Sequence, residues 1–342
     1  MAVFEKLTGD ALTKKLWDSG LWTDVRKLSL FKGLTSSDGT MPVHEKMAWK
    51  KSKGDRITFG LVPRLGKNFL VGGASAEGQE NKISDFDYSI TLDMRKLPVR
   101  YDLDLSDQRT MYGLGEENRK ALVTNVAENL DQYHMDILTT SPTKVFHPSG
   151  VEAQITSAAS VDAAKLAITV DDKIKPDSFR FLRSWAFTGG DRAYIPLRPF
   201  KIGGGNYLVL LAHPDVLADF RVDSTFQEGA RLAEKRGKDN PLFAIAESVI
   251  DNVIIIESEF VPIGTDAGVS GNVPYAHCTL IGAQSLVIAW ARIPRIVTRD
   301  FGYDEERGLC WKGMFQIGKP VFDSKDYGSI AFIVARTNVA GL

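Results

Sequence analysis

Between His213 and Asp223 the sequence HPDVLADFRVD brings together one imidazole and three carboxylates. Asp215, Asp219 and Asp223 stand four residues apart, a spacing that puts all three on one face of an α-helix. Two chemistries use such a set: hard oxygen ligation of a divalent cation, and a metal-dependent hydrolase in which His213 joins the aspartate face. The neighbouring residues favour a plainer role. No glycine-turned calcium loop and no HExxH pair accompanies the stretch. Pro214 suits the first position of a helix, where its missing N–H costs nothing. Asp215 then lies in the first turn, where a negative charge meets the helix dipole. Asp219 and Asp223 read as a solvated face, with the helix ending near Asp223. The hydrolase stands as the alternative reading.

His277 and Cys278 are adjacent, and neighbours on a strand point to opposite faces, which disfavours a base–nucleophile dyad. KIGGGNYL lacks the G-x-x-x-x-G-K-[ST] pattern of a phosphate cradle and leads into a strand, and TGGDRAY fails in the same way. The two cysteines, Cys278 and Cys310, show no CxxC or Cys/His spacing. That argues against structural zinc and fits a reducing compartment. Glu116 and Glu117 read as the wet face of a helix. Catalytic, metal-binding and cofactor-binding residues are all expected to be absent.

The elements around these residues follow from periodicity. The chain has 342 residues, 44% hydrophobic and 25% charged, with a formal net charge of −1. These values suit a folded soluble protein and give no basic excess for tight nucleic-acid binding. No apolar run approaches the ~20 residues of a membrane span, and MAVFEKLTGD does not read as a signal peptide. The first 30 or so residues read as an extended arm with short helices, with Trp17 and Trp22 as docking aromatics or core. GDRITFGLVPRL alternates as a strand, and so does DYSITLDMRKLPVRYD. The Gly-, Ser- and charge-rich stretch between them makes the tip of a long hairpin. EENRKALVTNVAENLDQYHMDIL carries Leu122, Val126, Leu130, Tyr133 and Ile137 down one side of a long helix, with Glu116 and Lys120 as an i,i+4 pair. SVDAAKLAITVDDK reads as helix, NYLVLLAH as a buried strand, and Ser224 with Gln227 as a capping box opening a helix over TFQEGARLAEKR. NVIIIES reads as a strand and TLIGAQSLVIAWA as strand-to-helix. CWKGMFQIGKPVF and YGSIAFIVART close the chain as strands. The class is α+β.

A compact chain of this length has a radius of gyration of about 20 Å, yet each hairpin strand of roughly ten residues already spans about 33 Å. A lone two-stranded hairpin is marginal in water. A long hairpin and an arm need a surface to lie on, and identical neighbours supply one. A self-assembling subunit is the physical reading; folding back onto the same chain is the other.

The order of arm, long hairpin, long helix, α+β region and C-terminal strands resembles the tailed-bacteriophage major capsid fold, the Hong Kong 97-like fold. LTKKLWDSGLW, KKSKGDRITFGLVPRL, ITLDMRKLPVRYD, LSDQRTMYGLGEENRKALVTNVAENLDQ, the long stretch YLVLLAHPDVLADFRVDSTFQEGARLAEKRGKDNPLF, and FQIGKPVFDSKDYGSIAFIVA follow in the order of the major capsid family whose type member comes from phage N-four. The resemblance implies an arm (1–54), an extended hairpin loop with flanking strands (55–105), a peripheral domain with a spine helix (106–157), a mainly axial domain (158–292) and C-terminal strands returning to the peripheral domain (293–342). It implies hexamers and pentamers closing into an icosahedral shell around double-stranded DNA, in a virion made in a bacterial cytoplasm. Portal, scaffold and decoration proteins would be further partners, and no membrane or cofactor is involved. Gly66 to Ser84 would lie over a neighbouring subunit. Arg64, Lys67 and Lys82 would supply charged contacts there, and Phe69, Leu70 and Val71 apolar anchors. The resemblance carries no catalytic role to His213 or the aspartates. An encapsulin-type shell and a tail or portal-neck ring protein are the readings it leaves beside the capsid.

Overall fold

The structure is a computed structural model that describes residues 25, 28–47, 56–61, 86–102, 114–148, 155–188, 196–202, 205–224, 226–227, 249–303, 305–322 and 324–337. Strands and helices are numbered along the chain. Five strands form one sheet in the order β1 (Thr35–Ser36), β2 (Val43–Met47), β14 (Leu286–Phe301), β15 (Glu306–Gly318), β5 (Asp93–Asp102). A nine-stranded sheet runs β10 (Val249–Ile250), β11 (Val253–Glu257), β9 (Gly205–Ala212), β13 (Val273–Ile281), β18 (Ser329–Ala335), β6 (Val145–Pro148), β7 (Ile155–Ala158), with β12 (Ile263–Ala267) on β13 and β8 (Phe200–Ile202) on β9. Two ribbons complete the strands: β3 (Arg56–Leu61) with β4 (Phe86–Thr91), and β16 (Val321–Phe322) with β17 (Lys325–Asp326). The helices are α1 (Leu114–Thr139), α2 (Val161–Ala167), α3 (Pro176–Thr188) and α4 (Pro214–Val222), preceded by a 3₁₀ turn at Leu30–Leu34.

Helix α1 packs against both sheets and shares one core with them. At 1.5 Å per residue it is about 40 Å long. Its buried face runs through Leu122, Val123, Val126, Ala127 and Leu130, then turns to Asp131, His134, Met135 and Leu138. The expected stripe through Tyr133 and Ile137 is only half-buried. An apolar count misses the true face because its last turns bury an acid and an imidazole, whose partners come from the N-terminal segment. Lys120 pairs with Glu117 at 3.0 Å, and both are exposed, so this pair adds little.

Three other expectations are corrected. SLVIAWA is strand, not helix. Leu286, Ile288 and Trp290 face the core shared with α1, while Val287 and Ala289 lie under the β3–β4 ribbon. A strand covered on both faces has no alternation to read and looks like a buried helix. In SVDAAKLAITVDDK only Val161–Ala167 is helical. Ser160 caps it by accepting the Ala163 amide at 3.1 Å, and the Asp172 carboxylate then accepts the Thr169 amide and hydroxyl at 2.7 and 2.9 Å, forming a turn. The cap after α4 is Asp223, one residue before the expected Ser224. Its carboxylate accepts the Phe226 amide at 3.2 Å. Residues 228–248, with most of TFQEGARLAEKR, lie outside the described residues.

The C-terminus of α1 has carbonyls without intrahelical partners and the negative end of the helix dipole. No basic residue occupies its last turn. Lys319, just beyond β15, supplies the charge: its ammonium donates to the Leu138 and Thr140 carbonyls at 3.1 and 3.3 Å and pairs with Asp326 at 2.7 Å. Asp326 is 1% exposed. It also accepts the Gly328 and Ser329 amides and the Ser329 hydroxyl, at 2.9, 3.2 and 2.5 Å. One buried pair thus joins α1, the β16–β17 ribbon and the start of β18.

Replacing Lys319 by Met removes the cation paired directly with the buried Asp326 and leaves it the weaker attraction of Lys144. We expect the unassembled subunit to lose about 3–5 kcal/mol in denaturant unfolding, with Lys319→Met/Asp326→Asn recovering part of it. A loss below about 0.5 kcal/mol would show that the pair does not hold the junction.

Candidate assembly interface

The residues with chemical potential are used structurally. His213 is the N-cap of α4, and its Nδ1 accepts the Asp215 amide at 3.2 Å. Burial lowers its pKa, against the opposing pull of Asp215, so the imidazole serves as a neutral acceptor. Asp215 lies 2.5 Å from the Arg336 guanidinium. Asp219 pairs with Lys173 at 3.0 Å and accepts the amide and hydroxyl of Thr337, each at 2.7 Å. Its side chain is 12% exposed, so the expectation of a solvated Asp219 is wrong. The aspartate face of α4 is a clamp on Arg336 and Thr337, where the chain leaves β18, and on Lys173 ahead of α3. The three carboxylates diverge to separate partners. Among the described residues no group of three or more His, Cys, Asp or Glu is placed to hold a metal ion.

His277 and Cys278 sit in β13 on opposite faces. Cys278 packs into the core with Phe332 and Val334. Burial pushes its thiol up to about 12, and pushes His277 down to about 4 with Lys319 and Lys165 nearby. A protonated thiol and an imidazole on the other side of the sheet make no dyad.

The structure instead builds anchors for the two limbs. In the β3–β4 ribbon Ile57 pairs with Ile90 and Phe59 with Tyr88. Alternation puts these four on one face, and Thr58 and Ser89, 3.1 Å apart through their hydroxyls, on the exposed other. The apolar face lies on Val287 and Ala289 of the five-stranded sheet. Lys46 donates to the Thr58 carbonyl at 2.8 Å and sits 4.4 Å over the Phe59 ring, whose edge meets His44. Gly318 allows the ribbon to lie flat: a Cβ there would come within 2.7 Å of the Tyr88 hydroxyl and 3.0 Å of Ile90 Cδ1. The hairpin expected from alternation is paired at its base, and its second strand divides, since Asp93–Asp102 joins the five-stranded sheet as β5.

The segment leading to the 3₁₀ turn docks on α1. The buried Asp131 carboxylate accepts the Ser29 hydroxyl at 2.6 Å and the Leu30 amide at 2.9 Å. Burial raises its pKa and these hydrogen bonds oppose the rise. Phe31 stacks on His134 at 4.6 Å. His134 donates from Nδ1 to the Leu130 carbonyl at 2.6 Å, and burial holds its pKa down at about 4. The Ser29 and Leu30 bonds to Asp131 and the Phe31–His134 stack escape a sequence reading because each joins residues about a hundred apart.

The contact residues expected from sequence, Trp17, Trp22, Arg64, Lys67, Phe69, Leu70, Val71 and Lys82, lie outside the described residues. The described residues give only the ribbon base from which 62–85 depart and the turn that 1–24 precede.

A family model described as phage capsid protein matches residues 7–306. The major capsid protein of Pseudomonas phage KPP25 is 22% identical, over 97% of each chain. The capsid of Ralstonia phage GP4 superposes with a TM-score of 0.74 at 18% identity, covering 91% of this chain and 92% of that one. The capsid of cyanophage Pam1 gives 0.72 at 15% identity, covering 90% and 92%. At these identities the likeness fixes the fold, which is the Hong Kong 97-like capsid fold.

Two measurements check this account. A thiol reagent should modify the half-buried Cys310 of the native protein quickly and Cys278 only on unfolding; fast labelling of Cys278 would contradict its burial. His134 and His277 keep pKa values of about 4 when folded, below their ordinary 6.5. The unfolded chain therefore binds protons that the native state refuses as pH falls from 6.5 towards 4. Stability is full above that window and falls through it by up to about 1.4 kcal/mol per pH unit for each imidazole. His134→Gln should flatten the slope between pH 6.5 and 5; an unchanged slope would place His134 outside the core.

Proposed function

From the premise that the chain belongs to the phage capsid protein family, whose work is structural and not enzymatic, we propose that it is the major capsid subunit of a phage. Many copies form hexamers and pentamers that close into an icosahedral shell around double-stranded DNA. The protein is a virion component made in the cytoplasm of its bacterial host. Portal, scaffold and decoration proteins are its further partners. The family match over residues 7–306 carries this reading.

The architecture supports it physically. The segment Gly66–Ser84 springs from a ribbon whose base is bound to the five-stranded sheet. In our reading it lies over a neighbouring subunit, with Phe69, Leu70 and Val71 as apolar anchors and Arg64, Lys67 and Lys82 as charged contacts. Trp17 and Trp22 serve the arm in the same way. α1 is the spine of the peripheral domain, and residues 158–292 supply much of the axial domain. Shell stability then comes from many modest interfaces, each gaining about 25 cal/mol per Å² of apolar burial before association costs are subtracted. A net charge of −1 suits a wall that confines DNA without gripping it.

Deleting Lys67 to Lys82 should leave a folded subunit with native circular dichroism that forms no closed shells by negative-stain microscopy. Normal particles from the deletion would reject the loop assignment. Wild-type protein that stays monomeric at every concentration would reject the shell reading itself.

A further inference from the structure

The ribbon covers only one end of the outward face of the five-stranded sheet. Beyond it, register fixes what the bare end displays. Arg295 stands opposite Lys312 on β15, and Lys312 opposite Lys96 on β5. Directly opposed residues project to the same face, with neighbouring strands about 4.8 Å apart. Three cations therefore stand in one row across three strands. The opposite face of these strands holds Leu97, Val99, Leu309, Trp311 and Ile296 against the α1 core, so the row points away from the protein. Lys96 and Arg295 are exposed.

Like charges in directly opposed positions destabilise a sheet. Four residues further along, Arg100 is neutralised by Glu306 and, with Arg299, packs on the Phe301 ring. No described carboxylate lies within ion-pair distance of Arg295, Lys312 or Lys96. β5 is also the last strand of its sheet among the described residues.

The flanking rows identify the class of ligand. Val297, Cys310 and Pro98 form the row on one side; on the other, Arg292 is paired with Met314 and Met314 with Met94, which is 50% exposed. Phosphodiesters would satisfy the cations, Arg292 among them, and leave Val297, Cys310, Pro98 and the two methionines bare. An extended polypeptide carrying carboxylates next to apolar side chains matches both. The chain itself carries carboxylates and apolar residues in one stretch: between Lys67 and Lys82 the only charges are Glu77 and Glu80, and Phe69, Leu70 and Val71 lie six to eight residues before Glu77.

We propose that the Arg295–Lys312–Lys96 row is a docking strip that receives the Glu77 and Glu80 carboxylates of a second copy. This rests on the shell-subunit reading and adds the receiving surface and its chemistry. The cost of the cation row in the lone subunit is then relieved on assembly, which makes closure sensitive to salt.

The test is a charge exchange in the full-length chain, conducted where wild type forms shells. Lys96→Glu/Arg295→Glu and, separately, Glu77→Lys/Glu80→Lys should each reduce shell yield at least tenfold while keeping native circular dichroism. All four substitutions together should restore it. Zero-length carbodiimide cross-linking of mixed ¹⁴N and ¹⁵N wild-type shells should join Glu77 or Glu80 to Lys96 or Lys312 in mixed-isotope peptides. Normal assembly of the strip variant, failure of the fourfold variant to recover, or cross-links confined to one isotope would overturn the strip. So would wild-type subunit retention on duplex DNA that the strip variant alone loses, which would assign the row to nucleic acid. In each case wild-type shells keep the capsid reading intact; absence of wild-type shells counts against that reading instead.

Discussion

Lys319 reaches the carbonyls at the end of α1 from 181 residues beyond Leu138 in sequence. A helix of 26 residues ends with unpaired carbonyls and the negative end of its dipole, and the Leu138 carbonyl there is buried with Lys319. The cation that solves this problem needs an anion of its own, because a lone buried charge is too costly. Asp326 supplies that anion and is satisfied in turn by the amides that start β18. The positions of α1, the strand that enters the nine-stranded sheet and the small β16–β17 ribbon therefore depend on one buried pair. Polar junctions of this kind are unforgiving: complete, they admit one arrangement, and with one member missing they are worse than an apolar core.

The same logic recurs at the two other polar junctions. Asp131 accepts the first groups of the 3₁₀ turn and fixes where the N-terminal segment meets α1. The α4 carboxylates fix where the chain leaves β18. In both places burial and pairing commit the acids to tethering. These junctions fix where the described segments meet α1 and where the chain leaves β18. The ribbon base works by packing: an apolar face on Val287 and Ala289, and a glycine at 318 where any side chain would lift it.

Much of this was legible in the chain. The alternation of Ile57, Phe59, Tyr88 and Ile90 marks the ribbon because one face is buried and the other wet. The period of α1 marks a long helix, and Pro214 marks the start of α4. SLVIAWA defeated the reading because covering by the α1 core on one side and the ribbon on the other removes the alternation that identifies a strand. Tyr133 and Ile137 were given too central a place because apolar counting assigns Asp131 and His134 to solvent. Asp219 was taken as solvated for the same reason: its partners Lys173 and Thr337 lie 46 and 118 residues away.

The sequence by itself determined the α+β class: element order, the strands at the base of the hairpin, the long helix and a near-neutral charge. These are carried by local periodicity, which depends only on near neighbours. Only the tertiary structure decided what the charged residues do. Whether Asp219 is wet, whether Lys319 ends a helix, and whether Arg295, Lys312 and Lys96 share a row depend on strand register and on contacts between distant segments. Alternation within each strand decides which residues face the core, but only the pairing of the strands decides that Arg295, Lys312 and Lys96 stand directly opposite one another.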